Sequence, residues 1–432
     1  MRRLGERSED DRSRPYAPPG VRVVLDVRAL QEPSRAPLTA AYLDGLLGAF
    51  NADPRPGESF AFLLASDEDD PTTAFRNLDV VGRRLLPPTR LLRSTALTVD
   101  PFMLRGASVG AAWRAERSGA HGAVYHAAGG ALPMASGVPV VATLLDLAPW
   151  ELPDTFQRTR ATRFGQRLRG RLLRRAAAVM VGSDAVALAA RRLVRIRRDR
   201  LRVVPLAARP WFADLRSDAD GAATPDRDAT HYGLGERYFV YTGRYDARHD
   251  LDTLARALAS LAQTGRPSTL AADADWPPRV LLIDARPDDR AAVARVLARH
   301  EAADLVAYAP ILSGEATAAL VRGARAVLVP ARSDAAGLAA IEAIAAGVPV
   351  IASAVGALPE VVGTAGILVE PRDPARLAAA MTAGWVDGAA YDRIAEAVHG
   401  SAAAGGGTVR TWSDVARDVR AVYAEVSAPG RW

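Results

Sequence analysis

Two carboxylates flank a glycine in the segment 327–350, which contains Asp334, Gly337 and Glu342. Its pattern predicts a buried strand, a short loop, a helix that ends before Gly347 and a second strand. A glycine lets backbone N–H groups approach a ligand closely, and a helix N-terminus adds partial positive charge. The spacing therefore indicates an anion-binding loop. The alternative is that Asp334 only caps the loop and Glu342 is a solvated helix residue.

A second group of chemically capable residues is basic and follows the apolar run 238–243. It contains Arg244, Arg248 and His249, the last two just before a helical pattern. Cationic donors stabilise the negative charge that accumulates when a bond to phosphate breaks. A histidine, with an ordinary pKa of about 6.5, is largely neutral at pH 7 unless a phosphate raises that value. The alternative for both arginines is a solvated position at a helix start.

Two polar residues in the N-terminal half lie near predicted strand ends. His126 lies in Val124-Tyr-His-Ala127, and Asp146 follows Leu144-Leu145. Either side chain can orient a reacting hydroxyl group, and a purely structural role is the alternative for each. The sequence has no cysteine, which excludes disulfides, thiolate metal sites and cysteine nucleophiles.

Strand-sized apolar runs alternate with helical patterns in two series. The first series comprises the runs 21–26, 60–65, 122–126, 139–144 and 177–181, and the second comprises 238–243, 280–283, 305–308, 326–330, 348–352 and 366–369. This alternation predicts an α/β protein with two Rossmann-like, doubly wound domains. In such sheets ligands bind at the carboxyl ends of the strands, so we expect the site in a cleft between the domains.

Composition shifts divide the chain into five parts. We predict a disordered tail over 1–20, a first Rossmann-like domain over 21–212 and a linker over 213–230. A second Rossmann-like domain follows over 231–410. The amphipathic segment 411–427 then forms a helix that crosses back to the N-terminal domain.

The loop and the basic segment resemble the retaining glycosyltransferases of family 4. Their typical loop, E-G-F-G-L-P-x-x-E-A-M-A-x-G-x-P-V, is matched at Gly337, Leu338, Glu342, Ala343, Ala345, Gly347, Pro349 and Val350. The segment from Tyr241 to Leu254 resembles their V-G-R/T-x-x-x-R-K-N-L-x-x-L-L. The match spans roughly residues 21 to 426 and implies the GT-B fold, in which two Rossmann-like domains face a cleft. The resemblance further implies that the domain 21–212 lies on the acceptor side and that the domain 231–410 binds the nucleotide-sugar.

The resemblance also implies an activity: transfer of a sugar, with retention and without a metal, from a nucleoside-diphosphate sugar to an unknown glycan, lipid or small molecule. The nucleotide-sugar is a substrate of unknown base, and no cofactor is expected. Glu342 would bind the ribose, Asp334 the sugar hydroxyls, and the basic residues the diphosphate. The donor-binding residues implied are Gly243, Arg244, Arg248, His249, Asp334, Gly337, Leu338 and Glu342. The catalytic candidates are Asp334, Arg248, Asp146 and His126.

Several positions depart from the family pattern. Residues 38–42 replace a Gly-rich loop, Leu145 stands where many members have a histidine, Asp334 replaces a glutamate and His249 replaces a lysine. These changes motivate a second hypothesis, a catalytically weakened glycosyltransferase-like protein with a binding or scaffolding role. A dehydrogenase is disfavoured because neither half opens with G-x-G-x-x-G.

Positive charge is concentrated in one stretch. All 55 basic residues are arginine, and Arg158–Arg202 carries 15 of them against Asp184 and Asp199, while the whole chain is +6. Such a surface suits anionic lipid headgroups, and a solvated arginine-rich face is the alternative. Nucleic-acid binding is disfavoured because the stretch lacks interleaved aromatics and a recognised motif. We expect a cytoplasmic protein, peripheral at the inner face of a membrane.

Overall fold

The computed structural model describes residues 21–87, 99–105, 122–213, 228–242, 245–270, 274–403 and 410–428. The predicted tail over 1–20 lies outside these residues, as does most of the predicted linker. Two of the predicted donor-binding residues, Gly243 and Arg244, also lie outside them.

Seven parallel strands form the first sheet, in the order β3-β2-β1-β4-β5-β6-β7. They are β1 Arg22–Asp26, β2 Ser59–Ala65, β3 Val80–Leu86, β4 Ala123–Ala128, β5 Val140–Thr143, β6 Ala178–Val181 and β7 Leu201–Val203. The described helices of this half are α1 Arg28–Gln31, α2 Pro37–Ala52, α3 Ala148–Glu151, α4 Pro153–Phe156, α5 Arg160–Arg175, α6 Asp184–Ala189 and α7 Pro210–Ala213. Successive residues of β1 face opposite sides of the sheet, so Val23 belongs to the core on one side and Val24 to the core on the other. A sheet covered on both faces explains the continuous apolar runs.

Six parallel strands form the second sheet, in the order β10-β9-β8-β11-β12-β13. They are β8 Phe239–Tyr241, β9 Val280–Leu282, β10 Val306–Tyr308, β11 Ala326–Val329, β12 Val350–Ser353 and β13 Gly366–Val369. The described helices are α8 Leu251–Gln263, α9 Pro287–Arg299, α10 Gly314–Arg322, α11 Leu338–Ala345, α12 Leu358–Val362, α13 Pro374–Trp385 and α14 Ala389–Ala403. Phe239 and Val240 again belong to cores on opposite faces. The prediction of two Rossmann-like parallel sheets is confirmed.

The last helix, α15 Trp412–Ser427, packs on the first domain, as predicted. Val415, Val419 and Tyr423 are buried in the same core as β1 and α2. Gly45 of α2 faces Trp412 so closely that a Cβ there would lie 2.1 Å from the indole Cε2. A glycine at this position therefore permits the helix to cross back.

The strand order reverses between β1 and β4 in the first sheet and between β8 and β11 in the second. Loops that leave a sheet on either side of such a reversal open a crevice at its carboxyl edge. In the second sheet the described parts of these loops include 245–250 and 330–337. They touch directly, because the Arg332 amide donates to the Arg248 carbonyl at 2.6 Å. The two segments singled out in the sequence therefore meet at one point of the fold.

Candidate functional site

A cleft of about 980 Å³ lies between the two domains, and both contribute to its walls. The lining residues that bear on its chemistry are Leu38, Thr39, Asp44, Gly129, Leu145, Asp146 and Arg169 from the first domain, and Arg209, Trp211, Arg248, His249, Asp284, Asp334, Leu338 and Glu342 from the rest of the chain. Seven of these residues were singled out in the sequence at the two loops of the second domain or at positions 145 and 146: Leu145, Asp146, Arg248, His249, Asp334, Leu338 and Glu342.

Asp334 closes the loop between β11 and α11. Its Oδ1 accepts hydrogen bonds from the amides of Ala336 at 3.0 Å and Gly337 at 2.7 Å. Asp334 therefore caps this loop, which is the structural role considered for it in the sequence analysis. Among the described residues its other oxygen, Oδ2, has no hydrogen-bond partner. One carboxylate thus shapes the loop and still offers an acceptor on the cleft wall.

Two glycines make this loop possible. Gly337 has a left-handed φ of 65° immediately before α11. Gly356 also has a positive φ, 56°, and a Cβ there would lie 1.8 Å from the Asp334 carbonyl oxygen. The Gly337 amide is already bonded to Asp334, so the amides that α11 offers to an anion are those of Leu338 and Ala339, both on the cleft wall.

Glu342 is buried, with 3% of its surface exposed, and forms a two-point ion pair with Arg209. Arg209 Nε and Nη2 donate to its two carboxylate oxygens, the second at 2.9 Å. Burial raises the pKa of Glu342, and the Arg209 guanidinium opposes that shift. The solvated role considered for Glu342 in the sequence is wrong, because the side chain is enclosed.

Arg209 was not singled out from the sequence. It follows the first sheet, 133 residues before Glu342, and its guanidinium stacks on Trp211 at 5.2 Å and Phe212 at 5.5 Å. The aromatic residues just after Arg209 were the only local signal. A cation held by aromatic faces and a bidentate carboxylate has one orientation, so Arg209 fixes the Glu342 carboxylate at the cleft.

Arg248 joins the two domains. Its Nη2 donates to Asp146 Oδ2 at 2.8 Å, its Nη1 pairs with Asp246, and its guanidinium lies 5.0 Å from the Phe156 ring centroid. Burial alone would lower the pKa of Arg248, but the Asp146 and Asp246 carboxylates outweigh this effect. The pKa is therefore raised above its ordinary value, and the group stays charged. The solvated role considered for this arginine is therefore wrong. His249 lines the cleft beside it and pairs in a β-bridge with Ala331.

Both carboxylate oxygens of Asp146 accept hydrogen bonds, Oδ2 from Arg248 of the second domain and Oδ1 from its own domain. Its Oδ1 accepts from the Ala148 amide at 2.9 Å, which caps the start of α3. Leu145, 5% exposed, forms the neighbouring part of the wall. The predicted residue Asp146 therefore lies in the cleft. Its contact with Arg248 leaves it fewer lone pairs with which to accept a hydrogen bond from a substrate.

His126 lies in the core of the first domain and does not line the cleft, which corrects the expectation that it orients an acceptor. It is fully buried, with Nδ1 at 2.6 Å from the Tyr423 hydroxyl and Nε2 at 2.7 Å from the Thr143 hydroxyl. Burial lowers its pKa to about 3, so the ring is neutral. The hydrogen bond to Tyr423 ties β4 to α15.

Arg169 and Asp284 are charged residues of the cleft that were not singled out from the sequence. Arg169, within the basic stretch, is 7% exposed on the inner side of α5, whose buried positions include Leu168, Leu172 and Leu173. An arginine in an apolar helical stripe was the available signal. Asp284 follows β9 with a positive φ of 61°, and burial raises its pKa.

Within the described ranges, no group of three or more His, Cys, Asp or Glu side chains is arranged to hold a metal ion. None of the described helices is both long and apolar enough to span a bilayer.

Comparison with known proteins identifies the fold. Residues 236–385 match the family model described as Glycosyl transferases group 1, about a third of the chain. The sequence has no significant match among curated proteins. Solved structures resemble it along nearly the whole length, however.

Three of these structures illustrate the likeness. Sucrose-phosphate synthase from Thermosynechococcus elongatus superposes with a TM-score of 0.60 at 18% identity, covering 94% of this chain and 98% of its own. WaaG, a glycosyltransferase involved in lipopolysaccharide biosynthesis, gives 0.63 at 14%, covering 95% and 100%. Anabaena Alr3699/HepE in complex with UDP-glucose gives 0.63 at 13%, covering 94% and 99%. The predicted GT-B fold is confirmed, and the second domain is similar in sequence to group 1 glycosyltransferases.

Proposed function

We propose that this protein is a retaining glycosyltransferase that moves a sugar from a nucleoside-diphosphate sugar to a hydroxyl group of an acceptor. The observation that carries the proposal is the convergence of Asp334, Glu342 and Arg248 on one cleft, within the segment that matches group 1 glycosyltransferases. The second domain binds the donor, and the first presents the acceptor.

Glu342 is suited to bind the ribose of the donor. Its two oxygens have about four acceptor positions; the Arg209 guanidinium uses two of them, and the Arg209 backbone N–H also donates to the carboxylate. The Arg209 guanidinium favours the ionised form of the buried carboxylate, and the remaining lone pair can accept a hydrogen bond from a ribose hydroxyl. Arg209 thus acts as the positioning residue for Glu342.

Arg248 and His249 are suited to bind the diphosphate, with the Leu338 and Ala339 amides at the N-terminus of α11. Negative charge builds on the diphosphate as the glycosidic bond breaks, and a preorganised cation stabilises it. Asp334 Oδ2 accepts from the sugar hydroxyls. Attack on the face from which the diphosphate leaves needs no enzymic nucleophile and no metal ion, so retention requires only that both substrates are held together.

The test is a calorimetric titration of the full chain with UDP, GDP and ADP and their common sugar conjugates. Asp334→Asn removes the charge but leaves an oxygen to cap the loop, and Glu342→Gln removes the charge and replaces one acceptor oxygen with an NH2 donor. The matched control is Glu396→Gln, on the exposed side of α14. We expect saturable binding of one nucleotide, weakened in both site variants and unchanged in the control. Absence of binding across the panel would overturn the donor site.

A binding or scaffolding protein with the same fold is the second candidate. Leu145, an apolar side chain on the cleft wall, favours it, because leucine neither transfers a proton nor donates a hydrogen bond. Arg248, already paired with two carboxylates, favours it as well. Turnover that Glu342→Gln and Arg248→Leu abolish would establish the enzyme; an intact cellular role in both variants would establish the scaffold.

We further propose that the basic surface docks on anionic lipid, at the inner face of a membrane. Five arginines recur at helical spacing on the exposed side of α5: Arg160, Arg163, Arg167, Arg171 and Arg174. Phe164 lies beside them with 52% of its surface exposed. A cationic stripe next to an exposed aromatic ring suits an anionic interface.

Cosedimentation with vesicles tests the membrane proposal. We expect binding to phosphatidylglycerol-containing vesicles at low salt, loss of binding with pure phosphatidylcholine, and weaker binding of an Arg163→Glu/Arg167→Glu variant. The control is Arg393→Glu, an exposed arginine on α14. Equal binding of both variants would reject this surface, and displacement by RNA would point to nucleic acid instead.

A further inference from the structure

The proposed donor site leaves one buried cation of the cleft, Arg169, unassigned. Arg169 projects from α5 of the first domain and lines the cleft although only 7% of its surface is exposed. Its Nη2 donates to the Gly129 carbonyl at 3.0 Å, and its guanidinium lies 5.3 Å from the centroid of the Trp150 ring. These two contacts fix the plane of the guanidinium group.

The charge of Arg169 is not matched by a carboxylate. No described Asp or Glu side chain forms an ion pair with it, and its buried Nε has no hydrogen-bond partner in the described part of the chain. Nη1 forms no hydrogen bond with the described residues either. Asp146 attracts the guanidinium from a distance, but Arg248, to which Asp146 is bonded, repels it.

Such an arrangement disfavours the charged form. Burial lowers the pKa of Arg169, whereas Arg248 and Arg209, which have carboxylate partners, have raised pKa values. A buried cation without an anion is costly, and replacing it with an apolar side chain of similar size is often neutral or stabilising. A purely structural contact to the Gly129 carbonyl needs one N–H group and no charge, so it does not account for a guanidinium here.

We propose that Arg169 binds an anionic group, a phosphate or a carboxylate, carried by the acceptor. The inference rests on the proposed function, since it assigns the first domain to the acceptor. The donor diphosphate has its own cation, Arg248, on the second domain. The Arg169 Nη1 group, which forms no hydrogen bond with the described residues, can donate a charge-assisted hydrogen bond to an oxygen of such an anion. The acceptor is therefore a negatively charged molecule rather than a neutral sugar.

The first experiment measures how inorganic phosphate stabilises the full chain against heat, at constant ionic strength set with sodium chloride. A ligand that binds the folded state raises the apparent melting temperature. We expect saturable stabilisation of the wild type, with an affinity at least about tenfold weaker in Arg169→Met, because a hydrogen-bonded charge pair is lost. Arg393→Met, at an exposed arginine of α14 outside the cleft and the basic surface, should behave as the wild type.

Arg169→Lys guards against misfolding as an explanation. It keeps a cation without the planar fork, so we expect part of the phosphate response to remain. Without ligand, Arg169→Met should melt no lower than the wild type, whereas a structural arginine would lower the melting temperature. An equal phosphate response in Arg169→Met and the wild type, or none in the wild type, would overturn the proposal.

A second arm identifies the source of the anion. Phosphate is titrated again with the nucleoside diphosphate that binds most tightly, at saturation. Additive stabilisation indicates a separate acceptor subsite. Competition would mean that Arg169 holds the donor diphosphate and would overturn the acceptor assignment. If no nucleotide binds but the phosphate response still depends on Arg169, the proposed function fails while the anion site stands. Repetition with acetate shows whether a carboxylate can replace phosphate.

Discussion

The ion pair between Arg209 and Glu342 leads to the sharpest prediction, because its two members differ in burial. The Glu342 side chain is 3% exposed and that of Arg209 is 24% exposed. Arg209→Met removes the cation and leaves a carboxylate enclosed in protein, with Asp284 acting on it as a further negative charge. Glu342→Gln leaves a cation that still contacts solvent and two aromatic rings. We therefore expect Arg209→Met to be the more destabilising substitution.

The magnitude follows from these exposures. Removing one partner of a buried pair costs about 3–5 kcal/mol, and Glu342 is sufficiently enclosed for this range to apply to Arg209→Met. Glu342→Gln keeps an acceptor oxygen for Arg209, so its cost is about 1–2 kcal/mol. For a domain of this size about 1 kcal/mol corresponds to roughly 2–4 °C, so Arg209→Met should lower the melting temperature by about 6–20 °C. The double variant should recover most of that loss.

The pH dependence has a definite sign. Burial already raises the pKa of Glu342 in the folded protein, and loss of Arg209 raises it further. A carboxyl group with a higher pKa folded than unfolded takes up protons on folding, so stability falls as pH rises towards the folded value. The cost of Arg209→Met should therefore be smallest near the ordinary pKa of 4.5 and increase towards pH 8.

Scanning calorimetry of the wild type, both single variants and the double variant at pH 5 and pH 8 tests this reasoning. The second-domain transition is followed, and nucleotide affinity is measured on the same samples. Two results would refute the argument: a cost of Arg209→Met below about 1 kcal/mol at pH 8, or a cost equal at the two pH values. Either would mean that Glu342 does not depend on Arg209 for its charge.

Three further substitutions test other parts of the structure. Gly356→Ala should displace the Asp334 loop, because of the 1.8 Å approach and the positive φ, with a stability loss of at least about 1–3 kcal/mol and weaker nucleotide binding in calorimetry. Tyr423→Phe leaves His126 Nδ1 without its 2.6 Å partner and should lower stability by about 1–3 kcal/mol with nucleotide affinity unchanged; altered affinity would place His126 in the site after all. Leu145→His introduces an N–H donor on the cleft wall and should raise turnover at unchanged nucleotide affinity; an unchanged rate would show that this position does not contact the reacting sugar.

Much of the fold could be predicted because apolar runs report burial directly. Eleven predicted strands correspond to observed ones, within about two residues at their ends. The first sheet has two more, β3 and β7, and both lie at its edges. The β3 strand Val80–Leu86 contains three consecutive exposed residues, and the β7 strand is only three residues long. Edge strands are covered less completely, so their sequences lack the continuous apolar run that identified the others.

The site was predictable where one segment supplies both the backbone shape and the side chain. The loop at Asp334, with its glycine and the following helix, is of this kind, and the structure has the same order of elements. The roles of His126 and Arg169 could not be predicted from their own sequence segments. Whether a polar side chain at a strand end or on a helix faces the core or the cleft depends on what packs against it, here Tyr423 for His126.

The charge state of the site depends on partners that are far apart in sequence. Glu342 and Arg209 are separated by 133 positions, and Arg248 and Asp146 by 102. Arg248 has one carboxylate partner from each domain, so separation of the domains breaks its contact with Asp146 and leaves that with Asp246. A donor diphosphate would bind the same guanidinium. On the proposed function, donor binding and the Asp146 contact would therefore compete for one cation, and separation of the two domains would increase the positive charge that Arg248 offers to the donor.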